Sequence, residues 1–417
     1  MIKKFNTQFF LIIFLFICFF SIIFLLAYIS PSKFFSDTRH EGISLVRDDH
    51  ELSEFYDRVS FYRHKDIPYK YSRIEYPPLA VLYLTVPAFF TSNFEQYKYA
   101  LNGQNIFFSI LLIVLTFQIL KFLGKNKKIL WLFILPSFVY YLINRFDVFP
   151  AFLVQLSLFL LLRKKFSWSF AILSLAFLAK GYALFLFPVF FVYYLNQTNQ
   201  LKVNLLKNRW LWIIIGPTIV MMVIFCLLAG LENGLFPYVY QTTRGFAHGS
   251  VYVIFLNALQ FILPGWLFAG LVNLGGLALT FLQMLLPLIV YIGYTIFRKY
   301  IKSAEGVISW LLLILLLYIQ FSVYYSPQWF VWLLPLLVLL ARNWREVILI
   351  VFYDLLNFLL FPVVWNYLGY NSVVFNIVVL LRVIILLIIT FYICKRIFLQ
   401  NQNKLYFTAQ NIKKSYE

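Results

Sequence analysis

The chain has 417 residues, of which 62% are apolar, 21% aromatic and only 12% charged. Soluble domains carry about a quarter charged residues, so this composition excludes a soluble globular enzyme. The formal net charge of +19 does not indicate a nucleic-acid partner, because the basic residues sit in short clusters between apolar runs, the positive-inside pattern of a multi-spanning membrane protein.

Apolar runs near 20 residues predict helices rather than a barrel. The first covers residues 8–29. Lys3 and Lys4 hold its start in the cytoplasm, and its length, with no small-residue cleavage site after it, predicts a retained helix rather than a signal peptide. The first external loop, residues 30–78, follows. Its stretch from Ser36 to Pro78 holds nine of the 16 acidic residues. It is either a site for acid–base or cation chemistry or a solvated loop whose Lys and Arg nearly balance its acids.

Two apolar stretches come next, 76–90 and 100–123, before Lys121, Lys125, Lys127 and Lys128. An odd number of crossings is needed there. The first stretch is short and broken by Pro77, Pro78 and Pro87, so it is expected to be re-entrant or interfacial. The segments 129–144 and 148–162 then form an outward and a returning span around the turn Asn144-Arg145-Phe146-Asp147. Residues 167–179 go out to Lys180, and 182–195 return to Lys202, Lys207 and Arg209. Residues 210–231 lead to a second external loop, 231–251, holding Arg244 and His248. The short piece 252–263 is not expected to span. The pairs 271–297 with 307–325, and 329–340 with 347–364, precede a last span at 373–393 and a cytoplasmic basic tail, 398–417.

The expected fold is thus a single all-α polytopic membrane domain of about twelve helices (ten to thirteen), with one or two short re-entrant helices and a large first external loop. Both termini are expected in the cytoplasm of a cell-membrane protein.

On this topology the polar motifs gather at the external face. Intramembrane charges are functional candidates because each is costly to insert. Lys180 suits a phosphate of a lipid-linked substrate, or else snorkels to headgroups. Arg145 and Asp147 either bind substrate or pair with other external charges. Asp354 and Arg382 lie at similar depth on consecutive spans and are expected to form a buried structural pair. Cys18, Cys226 and Cys394 all fall in apolar runs and offer no disulfide framework. His40, His50 and His64 share the acidic loop with the carboxylates, so a divalent cation is possible there, but they show no metal-ligand spacing and no cofactor is indicated.

The motifs Ile67-Pro68-Tyr69, Glu75-Tyr76-Pro77-Pro78, Arg145-Phe146-Asp147, Lys180-Gly181-Tyr182, Arg244-Gly245 and Ser326-Pro327-Gln328, taken in order, resemble those of glycosyltransferase family 87, which contains polyprenol-phosphate-mannose-dependent mannosyltransferases of the GT-C class. Ile67-Pro68-Tyr69 with Glu75-Tyr76-Pro77-Pro78-Leu79-Ala80 looks like its PY…EYPPLA signature. Arg145-Phe146-Asp147 with Pro150, then Lys180-Gly181-Tyr182 before Pro188, resemble its RFD…P…K-x-Y region. Arg244-Gly245 with Ser250 is similar to its RG…ES loop, and Ser326-Pro327-Gln328 with Trp332 and Pro335 to its SPQ…W…P segment. The match runs over roughly residues 36 to 335. It departs at Tyr71, where the family usually has an acid, and at Gly249, in the acid position of the ES pair.

The resemblance implies inverting transfer of a hexose, mannose first, from a polyprenyl-phosphate sugar donor to a lipid or glycan acceptor at the outer face. An aspartate of the first loop would be the general base. Asp49, 27 residues before Tyr76, fits best, with Asp37, Asp48 and Asp57 as alternatives. Lys180, Arg145 and Arg244 would hold the donor phosphate, and Glu75, Tyr76, Asp147, Tyr325 and Gln328 would line the substrate pocket. A transporter or lipid flippase of similar size is the competing expectation. It would tend to show inverted repeats and midplane charges, whereas no clear internal repeat is visible and the charges gather at one face.

Overall fold

The computed structural model describes residues 45–70, 73–198, 209–243, 246, 249–260, 262–276, 278, 281, 285, 301–369 and 372–414. The expected first helix, Asp37, Arg244, His248 and most of the 271–297 segment lie outside the described residues. Among the described residues every regular element is helical, and no strand occurs. The chain is an all-helical membrane protein. Its helices Phe94–Phe122, Ala304–Phe321, Trp344–Tyr367 and Val373–Phe398 are long and apolar enough to cross a bilayer. At 1.5 Å per residue the first reaches about 44 Å, more than the hydrocarbon thickness.

The remaining apolar segments are shorter, and proline explains several of the breaks. Pro78 opens the 11-residue helix Pro78–Ala88 at its first turn, where a missing N–H costs nothing. That helix extends about 16 Å, half a hydrocarbon core. Val251–Gln260 is a similar 10-residue helix.

The expected 129–144 span is differently built. A 3₁₀ stretch, Lys127–Ile134, leads into the nine-residue helix Pro136–Asn144. Pro136 has no N–H for a continuing helix, so the two cannot merge. The next helix, Val148–Leu162, leaves at 109° rather than as an antiparallel return. The three residues between the two helices are Arg145, Phe146 and Asp147.

Two chemical ends result. Phe330–Leu340 runs from Gln328 to Arg342, Val148–Leu162 from Asp147 to Arg163, and Phe166–Ala179 from Lys165 to Lys180. One end therefore carries the motif residues. At the other, Glu305 pairs with Lys125 and Arg342, and Arg396 pairs with Glu346.

The expected Asp354–Arg382 pair does not form. The Asp354 carboxylate instead accepts from the backbone N–H of Ser137 and of Phe138, both at 3.2 Å. It caps the start of Pro136–Asn144 from a neighbouring helix, satisfying donors that have no partner within their own helix. Arg382 lies over the Tyr325 ring at 3.4 Å and donates to the Gly249 carbonyl at 2.5 Å. Similar depth on adjacent helices does not fix azimuth, and the two side chains point to different neighbours.

Candidate active site

The site begins where the first loop enters the bundle. Asp48 is the N-cap of the helix Asp49–Arg58, and its Oδ1 accepts from the Glu51 N–H at 3.2 Å. Its own N–H donates to Asn144 Oδ1 at 2.7 Å, while Asn144 Nδ2 donates to the Val46 carbonyl at 2.8 Å. The loop is thereby stitched to the C-terminal end of Pro136–Asn144. Its helix is amphipathic, and Leu52 and Phe55 are fully buried.

Arg145 follows directly, in extended conformation. Its Nη2 donates to Asp48 Oδ2 at 2.8 Å, Nε to Gln328 Oε1 at 2.7 Å and Nη1 to the Asn144 carbonyl at 2.8 Å. Glu51 Oε1 stands 3.6 Å from Nε. Asp147 is fully buried, and its Oδ1 accepts from Lys180 Nζ at 2.6 Å and from Trp332 Nε1 at 2.7 Å. Trp332 is stacked on Tyr182 at 4.0 Å and on Trp329 at 5.2 Å. The Arg145 turn, the Lys180 turn and the segment from Ser326 to Trp332 thus converge, although up to 185 residues separate the bonded partners.

Two cavities open around this convergence. One, of about 380 Å³, is lined by Glu75, Tyr76, Asp147, Lys180, Gln328 and Trp332 among others. The second, of about 360 Å³, has Asp48, Tyr141, Tyr325, Phe361, Trp365 and Phe375 in its wall. They share His50, Glu51, Arg145, Tyr324 and Ser326. Burial raises the Glu51 carboxyl above the ordinary glutamate range, against the opposing pull of Arg145 and with a further push from Asp48.

Most of the sequence-derived candidates meet here. Glu75 is held by Arg58, whose Nε donates to Oε2 at 2.9 Å. Tyr76 packs edge-on against Phe55 and Phe146, and burial holds its phenol well above the usual tyrosine range. The Tyr325 hydroxyl donates to Asn357 Oδ1 at 2.6 Å. The first-loop aspartates divide. Asp48 lines the second cavity; Asp49 lines neither and turns instead to Arg47 at 2.6 Å and the buried Lys98 at 3.5 Å. Asp57 is exposed and also outside both.

Sequence reading did not single out Glu51, Asn144 or the role of Trp332, and it weighed His50 only as a metal ligand. A signal for Glu51 existed. An acid, two residues and a glutamate is the spacing of a capping box, which starts a helix at Asp48 and sets both side chains at its first turn. No protein-family model matches the chain, and no curated protein matches it.

Proposed function

We propose that the chain is a polyprenyl-phosphate-dependent hexosyltransferase of the GT-C type, mannose being the first sugar to test, acting at the outer face of a cell membrane. The carrying observation is that two cavities of similar size meet at one carboxylate and one guanidinium, Glu51 and Arg145. A transferase needs two substrate chambers joined at the reacting atoms. The family-like motifs supply the direction of the reading, since residues of the Glu75-Tyr76, Arg145-Phe146-Asp147, Lys180-Gly181-Tyr182 and Ser326-Pro327-Gln328 motifs line these chambers.

In this reading the acceptor hydroxyl attacks the anomeric carbon as the C1–O bond to phosphate breaks. The proton goes to a carboxylate, the bonding pair to the departing phosphate oxygen, and the configuration inverts. Glu51 is the base we assign, because it reaches both chambers and its elevated pKa brings it toward working pH. Asp48, the aspartate nearest the junction, holds Arg145 in place. Arg145 and Lys180 face the departing phosphate, where cations stabilise developing charge. The side chains Leu82 and Val86, exposed on Pro78–Ala88, and Phe89 just beyond its end offer an apolar wall for the polyprenyl chain.

The finer topology belongs to the same proposal: about twelve crossings, with both termini in the cytoplasm. A 3₁₀ turn rises about 2 Å per residue, so Lys127–Ile134 followed by Pro136–Asn144 reaches about 30 Å, enough for one crossing despite its short helix.

The test uses purified full-length protein with a set of short-chain polyprenyl-phosphate sugars, and Glu51→Gln, Asp48→Asn and Asp49→Asn in parallel. We expect one donor to turn over with inversion, Glu51→Gln to be inactive while folded, and Asp49→Asn to retain activity. An active Glu51→Gln removes the base assignment. Absence of turnover from every donor, with flux of a lipid-linked sugar across vesicles, replaces the transferase by a transporter.

A further inference from the structure

The basic end of the bundle holds a third cavity, of about 390 Å³, between the Lys127–Ile134 stretch and the start of Trp344–Phe358. Lys125, Lys128, Trp131, Arg342, Asn343 and Trp344 line it. It is remote from the motif residues, because Phe330–Leu340 runs its whole length between Gln328 and Arg342.

Its charge is unbalanced. Lys125 and Arg342 share one carboxylate, Glu305, at 2.7 and 2.6 Å. The Lys128 ammonium has no carboxylate partner among the described residues. Burial pulls the Lys125 ammonium below its usual range; Glu305 opposes that, while Arg342 and Arg396 add to it. An arriving anion would relieve this excess.

The rim is aromatic. Trp131 is 45% exposed and Trp344 68%. Indoles with one face apolar and an N–H free to meet water concentrate at the boundary between hydrocarbon and headgroups. Ile129 and Val347 continue the apolar rim. A solvated basic loop needs no such walls, and a site for a soluble anion gains nothing from tryptophans at the bilayer boundary.

We propose that this cleft binds the phosphate-bearing headgroup of an anionic phospholipid. Lys128 and Arg342 contact the phosphate, and Trp131 and Trp344 flank it at the interface. Basic pockets among membrane helices take lipid phosphates by this combination of charge and depth. The site is independent of the transfer reaction.

Native mass spectrometry of the full chain, released from phosphatidylcholine and from phosphatidylcholine–phosphatidylglycerol nanodiscs, tests it. We expect phosphatidylglycerol to be retained in preference to phosphatidylcholine. Lys128→Gln breaks no ion pair and should weaken retention about fivefold, the usual worth of one cation at an anionic membrane surface. Lys128→Arg should restore it. Arg163→Gln, a basic residue at the same end but outside the cleft, should change nothing. Equal retention of the two lipids, or equal effects of Lys128→Gln and Arg163→Gln, would overturn the proposal. So would displacement of the lipid by inorganic phosphate or glycerol phosphate at matched concentration, which would make this a site for a free anion.

Discussion

Arg145 and Asp147 carry opposite charges two positions apart and do not pair with each other. Arg145 turns to Asp48 at 2.8 Å, and Asp147 turns to Lys180 at 2.6 Å. Phe146, 2% exposed between them, packs into Phe55 and Tyr76. One three-residue turn thus anchors the first loop on one side and the Lys180 turn on the other.

Arg145 uses three different nitrogens for three partners. A lysine has one nitrogen and no planar fork, so it can reproduce only part of that set. Arg145→Lys should cost about 1–3 kcal/mol of stability, the penalty for leaving buried partners unsatisfied. Transfer activity should fall by more than the folded fraction does. Thermal unfolding beside single-turnover assays separates the two effects. An Arg145→Lys enzyme as stable and as active as wild type would show that charge alone suffices there.

Lys180→Met leaves Asp147 with Trp332 as its one remaining hydrogen-bond donor among the described residues. Breaking a buried ion pair from one side costs about 3–5 kcal/mol, and the partial exposure of Lys180 puts this case at the lower end. The double variant Lys180→Met, Asp147→Asn should recover most of that stability, since no charge is stranded. Activity should stay lost in the double variant, because the cation facing the phosphate is still missing. Recovery of both together would reduce Lys180 to a structural role.

The class of protein was legible because composition and run length reflect the solvent around the chain. The shared location of the motifs was legible because basic clusters fix alternation. The choice among aspartates was not. Asp48 is the non-helical N-cap and Asp49 the first helical residue, so the two side chains leave in different directions and Asp49 turns to Arg47 and Lys98. The Asp354–Arg382 expectation failed because similar depth on adjacent helices does not fix azimuth. Short segments misled differently. The 3₁₀ stretches Lys127–Ile134 and Gly181–Leu186 are apolar and lead into helices, so hydropathy alone merges them with the helices that follow.

Glu51 gives a pH signature with two opposed limbs. Its folded-state pKa is raised, chiefly by burial. The contribution of this group to stability is therefore full below its unfolded pKa and is lost as pH rises through the folded value. Activity requires the ionised base, so it should rise across the same window. Wild-type protein should lose thermal stability and gain turnover together as pH climbs above the ordinary glutamate range. Glu51→Gln should flatten the stability change. If the stability profile of Glu51→Gln overlays that of wild type, the ionisation belongs to another group.

Gly249 and Tyr325 make the last test. A Cβ at Gly249 would lie 3.1 Å from the Tyr325 carbonyl oxygen and 3.4 Å from its ring. Tyr325 has little room to yield. Its hydroxyl is fixed by Asn357 at 2.6 Å and Tyr353 at 3.1 Å, and the Arg382 guanidinium covers its ring at 3.4 Å. Gly249→Ala should therefore destabilise by about 1–3 kcal/mol, as overpacking does, and should distort the cavity that Tyr325 lines. Arg382→Met removes the lid over that ring and so gives it room. Its effect combined with Gly249→Ala should be smaller than the sum of the two, because both act on one side chain. Strict additivity in unfolding measurements would mean that the Gly249 contact and the Arg382 contact are not coupled through Tyr325.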